Sequence, residues 1–232
     1  MEQKFLQSEE IAREQASFMT KLYGWMAMAL CLTAATSYMV ASSEAMLSLI
    51  FGNQLVFWSL IIGELGLVWY LSRSITKLTV NTATLMFLLY SIMTGLTISF
   101  IFLTYTQASI ASTFLITAAT FGAMSFYGYT TKRDLTSFGN ILTMALIGLI
   151  IASLVNIFFK NPILYWITTY AGVLIFTGLT AYDTQKIKEM NILGNEGTDE
   201  DQKEAIMGAL ILYLDFINLF LYLLRILGSR RD

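Results

Sequence analysis

Seven apolar runs of the length needed to cross a bilayer follow one another along this chain of 232 residues. A membrane-spanning helix needs about 20 mostly apolar residues. Only 13% of the residues are charged, against about 25% in soluble domains. Barrel strands are shorter and alternate polar with apolar residues, so they do not account for these runs. The sequence therefore predicts an all-α integral membrane protein with seven transmembrane helices. The runs cover residues 22–41, 53–72, 81–103, 110–129, 139–159, 163–182 and 205–227.

The charged residues predict how the chain is organised around these runs. We expect a polar tail, residues 1–21, and then a single seven-helix membrane domain, residues 22–232, in which loop 188–204 joins runs six and seven. The tail lacks the apolar core of a signal peptide. Lys and Arg concentrate in the tail and in alternate connections, which predicts a cytoplasmic N-terminus. The basic C-terminal residues are the exception, and a seventh segment that re-enters the membrane is the alternative to a full crossing.

The composition excludes several classes of site. The chain has no histidine and one cysteine, Cys31. This excludes His-ligated zinc, a disulfide framework, and Ser-His or Cys-His nucleophile pairs. An intramembrane aspartyl protease would resemble a Gly-x-Gly-Asp pattern, whereas Leu212-Tyr-Leu precedes Asp215. We therefore expect no enzyme activity, no cofactor and, at a net charge of −2, no nucleic-acid partner.

Two aspartates interrupt the last apolar stretches. Asp183 lies near the end of run six and Asp215 near the middle of run seven. A carboxylate in a bilayer is costly and marks by default an ion path, a proton relay or a paired charge. If the two meet, they cannot both ionise cheaply, so they would share a proton and titrate as a unit. Acidification would then close the pair and alkalinisation would split it by repulsion.

Residue counting alone leaves this contact open. From a turn near Asn195, the two carboxyl groups differ in depth by roughly 8 Å at 1.5 Å rise per residue. Helix tilt or stagger could absorb this difference. A buried polar contact that only fixes helix register is the alternative to a functional pair.

Other polar residues join the candidate site. Asn218 shares a helix face with Asp215, and Glu64 near the centre of run two is an ion-path candidate or a protonated acid bonded to a neighbouring helix. Arg73 is a latch candidate that could pair with Asp183, or an ordinary positive-inside anchor. Calcium prefers several oxygen ligands, so Asp183 and Asp215, with these neighbours, could form a weak, transient metal site.

The loop between runs six and seven carries acids at positions 199–201. Thr198 followed by Asp201 resembles a capping box that opens the last helix. We therefore interpret these acids as a solvated helix cap, because the spacing of a calcium-binding EF-hand is absent.

Two segments carry a family resemblance. Ala181-Tyr-Asp-Thr-Gln-Lys186 and Leu212-Tyr-Leu-Asp-Phe-Ile-Asn-Leu-Phe220 resemble the two C-terminal signatures of the transmembrane Bax inhibitor motif family, the Bax inhibitor-1 group. The resemblance implies a seventh helix wrapped by the other six. It also implies a pH-sensitive calcium leak channel, with Asp183 and Asp215 as the sensing dyad, Arg73 as the latch and Glu64 on the ion path.

The compact chain, without a eukaryotic-looking tail, predicts a bacterial inner membrane protein that interacts with calcium ions and protons. The alternative function is a non-conducting membrane regulator that binds a membrane protease or a cell-death or stress partner. The tail could be the contact, since Phe5, Leu6, Ile11, Phe18 and Met19 could form the apolar face of an interfacial helix.

Overall fold

The structure is a computed structural model. It describes the backbone of residues 2–191 and 194–231 and the side chains of residues 9–191 and 194–231. The helices are α1 (Glu2–Ala41), α2 (Glu44–Phe51), α3 (Gln54–Ser74), α4 (Val80–Ile98), α5 (Ile101–Thr104), α6 (Gln107–Thr130), α7 (Thr136–Phe159), α8 (Pro162–Met190) and α9 (Asp199–Leu227), with a 3₁₀ turn at Ile75–Lys77 after α3.

Among the described residues, seven helical segments are long and apolar enough to cross a membrane, which confirms the predicted all-α, seven-span architecture. They are Glu9–Ala41, Gln54–Lys77, Val80–Thr104, Gln107–Thr130, Thr136–Phe159, Pro162–Met190 and Asp199–Leu227. The central position of the seventh helix stays a prediction.

Local sequence explains where many of these helices begin. Asn53 caps α3 by accepting a hydrogen bond from Leu55 N–H. Thr79 caps α4 by accepting one from Thr82 N–H. Such side chains satisfy backbone N–H groups that have no partner within the helix. Pro162 begins α8, where its missing N–H costs nothing. The polar residues and the proline between the apolar runs therefore set where these helices begin.

The predicted tail continues into the first span, because α1 is a single helix of 40 residues. Phe18 and Met19, expected on an interfacial face, are buried in the protein. The side chains of Phe5 and Leu6 lie outside the described residues. The division into a tail and one membrane domain stays a prediction.

The chain forms two compact units. Unit 1 comprises Met1–Thr104 with Asn191–Tyr213, and unit 2 comprises Tyr105–Met190 with Leu214–Asp232. In unit 1, α1 packs against α4 at Gly95, where a Cβ atom would lie 2.8 Å from the Thr33 carbonyl oxygen. Small residues permit this close approach between helices.

The start of α9 corrects one expectation. Thr198 caps the helix as predicted, accepting a hydrogen bond from Asp201 N–H at 3.3 Å. Asp201, however, is not solvated: it is only 2% exposed and forms a salt bridge with Lys21 of α1. It also accepts a hydrogen bond from Gly197 N–H. A buried carboxylate requires such partners, and Lys21 is 180 residues away in the sequence.

In unit 2, the C-terminal segment lies beside the start of α6. Thr106 N–H donates to the Ser229 carbonyl at 3.1 Å, and Ser229 N–H donates to Ser109 Oγ at 2.8 Å. Burial raises the pKa of nearby Tyr105. These contacts tie the end of the chain to the connection that precedes α6.

The end of α8 lies at the other end of α6. Lys188 Nζ donates to the Tyr129 carbonyl at 3.0 Å, one residue before α6 ends. Because the segment after α9 contacts the start of α6, α9 ends at the opposite end of unit 2 from α8. The choice between a full crossing by α9 and the re-entrant alternative stays a prediction.

Candidate functional site

Asp183 and Asp215 come together in unit 2. Asp215 is 5% exposed and Asp183 is half-buried, and their carboxyl groups lie close enough to each other for electrostatic interaction. A hydrogen bond between two carboxyl groups requires that one of them is protonated, since an ionised carboxylate only accepts. Helix packing therefore brings the two acids near each other, and a proton shared between them stays a prediction.

The Oδ2 atom of Asp215 is buried and has no hydrogen-bond partner among the described residues. An unpaired polar atom in an apolar interior is costly. Two charged carboxylates in contact would add mutual repulsion to this cost. The geometry therefore suits a pair that holds one proton jointly.

Aromatic residues that follow Asp215 on α9 pack against neighbouring helices. The adjacent Phe216 packs against Phe114 and Phe121 of α6, with ring centroids 5.3 and 5.4 Å apart. Two turns further along α9, Tyr222 stacks on Phe176 of α8 at 5.9 Å. These ring contacts hold the second half of α9 against α6 and α8.

The residues beside Asp183 anchor α8 to α6 and α7. The Tyr182 ring lies against Gly139 of α7, where any Cβ atom would overlap it. On the other side of Asp183, the hydroxyl of Thr184 lies 2.9 Å from that of Ser125 on α6. The backbone that carries Asp183 is thus held by its two flanking residues.

Gln185 fixes the connection between α6 and α7. Its side chain accepts a hydrogen bond from Leu135 N–H at 2.8 Å and donates one to the Arg133 carbonyl at 2.8 Å. Sequence analysis did not single out Gln185 or Gly139. The sequence signal that could have pointed to Gln185 is its place in the run Tyr182-Asp-Thr-Gln185. Each side chain of this run contacts a different neighbour.

Basic residues follow one turn later. Lys186 lies over the Tyr182 ring at 5.6 Å, and Lys188 lies over the Tyr129 ring at 4.7 Å. Cation–π contacts of this kind orient a basic side chain at an aromatic face. They mark the end of unit 2 at which α8 terminates.

Asn218 was predicted to share the face of Asp215. Its side-chain N–H donates to the Leu214 carbonyl at 2.8 Å, one turn back on the same helix. Its amide oxygen therefore remains the group that could serve as a ligand. A place on an ion path stays a prediction.

Glu64 and Arg73 belong to unit 1. Glu64 accepts a hydrogen bond from the Thr97 hydroxyl of α4 at 2.8 Å, as expected for an acid bonded to a neighbouring helix. Arg73 is exposed in the last turn of α3. No described carboxylate of unit 1 lies within salt-bridge distance of Arg73, and its role as a latch stays a prediction.

Metal binding at the carboxyl pair would be weak. No group of three or more His, Cys, Asp or Glu side chains among the described residues is arranged to hold a metal ion. Calcium normally takes about six to eight oxygen ligands. A cation at Asp183 and Asp215 would therefore depend on neutral oxygens and water for the rest of its shell.

Known proteins resemble this chain along almost its full length. The inner membrane protein YbhL of Escherichia coli is 53% identical over 232 residues, which cover 98% of this chain and 99% of that protein. An uncharacterised protein of Borreliella burgdorferi is 48% identical over 215 residues, or 93% of each chain. Protein RP147 of Rickettsia prowazekii is 48% identical over 217 residues, or 93% of this chain and 90% of that protein.

The family model described as "Inhibitor of apoptosis-promoting Bax1" matches residues 15–232. The match contains both segments that carry Asp183 and Asp215. Together with the seven apolar helices, the similarity to YbhL supports a bacterial inner membrane location. The chain is an integral membrane protein that belongs to the Bax inhibitor family.

Proposed function

We propose that this protein is a pH-sensitive cation leak channel, with calcium as the permeant ion, gated by the carboxyl pair of Asp183 and Asp215. The observation that carries the proposal is the proximity of these two carboxyl groups, together with the buried, unpartnered Oδ2 atom of Asp215. Asp215 is buried inside a membrane span, and intramembrane acids are rare unless they have a function.

Protonation supplies the gate. At low pH the shared proton lets the two carboxyl groups hydrogen-bond and holds α8 against the second half of α9. At high pH both groups are charged and repel each other across a medium that screens charge weakly. The helices then separate at this level and a polar path opens.

The same carboxyl groups serve the permeant ion once they are charged. Two carboxylates attract a divalent cation, and the Asn218 amide oxygen adds a neutral ligand. Weak binding suits conduction, because the ion must leave as well as enter. In the same scheme Glu64 lies on the ion path, Arg73 latches the closed state, and the N-terminus is cytoplasmic.

Calcium flux into proteoliposomes with an internal calcium indicator tests the gate. Wild type should conduct more as pH rises, whereas Asp183→Asn and Asp215→Asn should lose this dependence because neither variant can form a like-charged pair. Asp134→Asn, the same change at an exposed carboxylate before α7, is the matched control. Unchanged pH profiles in both pair variants would contradict the proposal.

A further inference from the structure

A second cluster of buried polar side chains lies in unit 1. It joins α1, α3, α4 and the first half of α9, and the proposed gate does not use most of its members. The side chains are Thr33, Glu64, Tyr90, Thr94, Thr97 and Tyr213.

Glu64 is the only carboxyl group of this cluster. It is half-buried within the span Gln54–Lys77, and Thr97 Oγ1 lies 2.8 Å from its Oε1. Thr97 is itself 9% exposed. A membrane-buried acid with a fixed hydroxyl partner is costly to keep unless it performs a task.

Tyr213 is the most deeply buried hydroxyl of the cluster. The residue is 0% exposed, and its hydroxyl lies 2.7 Å from Thr33 Oγ1. Thr33 Oγ1 also lies 2.9 Å from the carbonyl oxygens of Ala29 and Ser91. Thr33 has one proton and the carbonyls can only accept. We therefore assign Thr33 as donor to a carbonyl and Tyr213 as donor to Thr33.

Glu64, at one end of the cluster, interacts with Tyr213, at the other end. The Thr94 hydroxyl donates to the Tyr90 carbonyl at 3.0 Å, and both Tyr213 and Tyr90 lie close enough to Glu64 for electrostatic interaction. Tyr90 on α4 and Tyr213 on α9 are thus the ionisable groups that face Glu64. From α1, the cluster receives only the neutral hydroxyl of Thr33.

We propose that this cluster is a proton-binding site, in which Glu64 takes up and releases a proton inside the membrane. The hydroxyl groups of Thr97, Thr94 and Tyr213 reorient as the charge on Glu64 changes. Chains of hydrogen bonds polarise one another in a low-dielectric interior. A change at the carboxyl group therefore acts first on the Thr97 hydroxyl that donates to it, and through the field of Glu64 on Tyr213.

The chemistry of the cluster favours a proton over a metal ion. One carboxylate and several hydroxyls that already hydrogen-bond with protein partners are a poor match for the six to eight or so oxygens that calcium takes. A proton needs only an acid whose neighbours can both donate and accept. The site is independent of the Asp183–Asp215 gate, and a permeant cation would compete with the proton for Glu64.

Infrared spectroscopy tests proton binding directly. Protein carrying Asp183→Asn and Asp215→Asn is titrated in liposomes above about pH 5, where exposed carboxyl groups are already charged. A band of a protonated carboxyl group should remain, disappear as pH rises, and be absent when Glu64→Gln is added. If no such band titrates, or if Glu64→Gln leaves it in place, the proposal is wrong. Should the double variant fail to fold, the difference between wild type and Glu64→Gln gives the same answer.

Matched substitutions test the hydroxyl groups. Thr97→Val should shift both the frequency and the titration midpoint of the Glu64 band, and Thr97→Ser should restore them. Tyr213→Phe, which removes one oxygen and keeps the ring, should also shift the midpoint. Thr113→Val removes a buried hydroxyl in unit 2 and should leave the band unchanged. Unchanged bands in both Thr97→Val and Tyr213→Phe would overturn the role of the hydroxyl groups.

Discussion

The ring of Tyr182 on α8 occupies the space that a side chain at Gly139 on α7 would need. Because Tyr182 immediately precedes Asp183, this contact fixes how α7 packs against the part of α8 that carries the carboxyl pair. A glycine at position 139 is thus a packing requirement of the candidate site.

We expect Gly139→Ala to displace Tyr182 and lower the free energy of unfolding by about 1–3 kcal/mol, the usual cost of overpacking. The displaced ring should also move Asp183 and change the pH dependence of calcium flux. Thermal unfolding in detergent and flux in proteoliposomes measure the two effects.

Gly148→Ala on the same helix is the control, since a Cβ atom there meets nothing within 4 Å. It should leave stability unchanged or raise it by up to about 1 kcal/mol, because Ala favours helix more than Gly does. Equal effects of the two substitutions would contradict the packing role of Gly139.

Gln185→Leu should destabilise the connection between α6 and α7. Leucine has a similar size but leaves Leu135 N–H and the Arg133 carbonyl without their partner. An unsatisfied buried group costs about 1–3 kcal/mol. Amide hydrogen exchange at Leu135 should become faster, and denaturant unfolding should shift to a lower midpoint.

Gln202→Leu provides the matched change at an exposed glutamine of α9. The rate of amide hydrogen exchange at Leu135 in the Gln202→Leu variant should equal that of wild type. If Gln185→Leu also leaves this amide protected, Gln185 does not hold the connection.

Lys21→Met should destabilise unit 1 by leaving the buried Asp201 carboxylate unpaired. Breaking a fully buried pair costs about 3–5 kcal/mol. Lys21 is 34% exposed, so solvent screening should reduce the loss to about 1–3 kcal/mol. Thermal unfolding at neutral pH is the measurement.

Asp201→Asn combined with Lys21→Met should recover part of this loss, because no unpaired charge then remains. Arg13→Met changes an exposed basic residue of the same helix and should have little effect. A Lys21→Met protein as stable as Arg13→Met would show that the salt bridge contributes nothing.

The carboxyl pair should behave as one titrating unit. Asp183→Asn, Asp215→Asn and the double variant should therefore alter the pH profile of calcium flux to the same extent, because removing either acid already removes the like-charged pair. Flux across a pH series for the three proteins measures this. Effects of the single variants that simply add in the double variant would indicate two independent acids.

The number of spans and many helix ends could be predicted from the sequence. A bilayer demands about 20 apolar residues per helix, and polar caps such as Asn53 and Thr198 satisfy the backbone groups at helix starts. Both requirements are local, so a short stretch of consecutive residues is enough to recognise them. The membrane cost of a charge also identified Asp183, Asp215 and Glu64 as candidates without any tertiary information.

Which side chains meet was decided by tertiary structure alone. Residue counting placed Asp183 and Asp215 at different depths, whereas helix packing brings their carboxyl groups near each other. From the sequence, Asp201 is expected to be a solvated acid, whereas the structure places Lys21 beside it. Tyr213 looks like an ordinary aromatic residue in the sequence, whereas in the structure its hydroxyl donates to Thr33. Hydropathy and local spacing fix what a helix contains, but tilt, stagger and rotation depend on contacts between residues far apart in the chain.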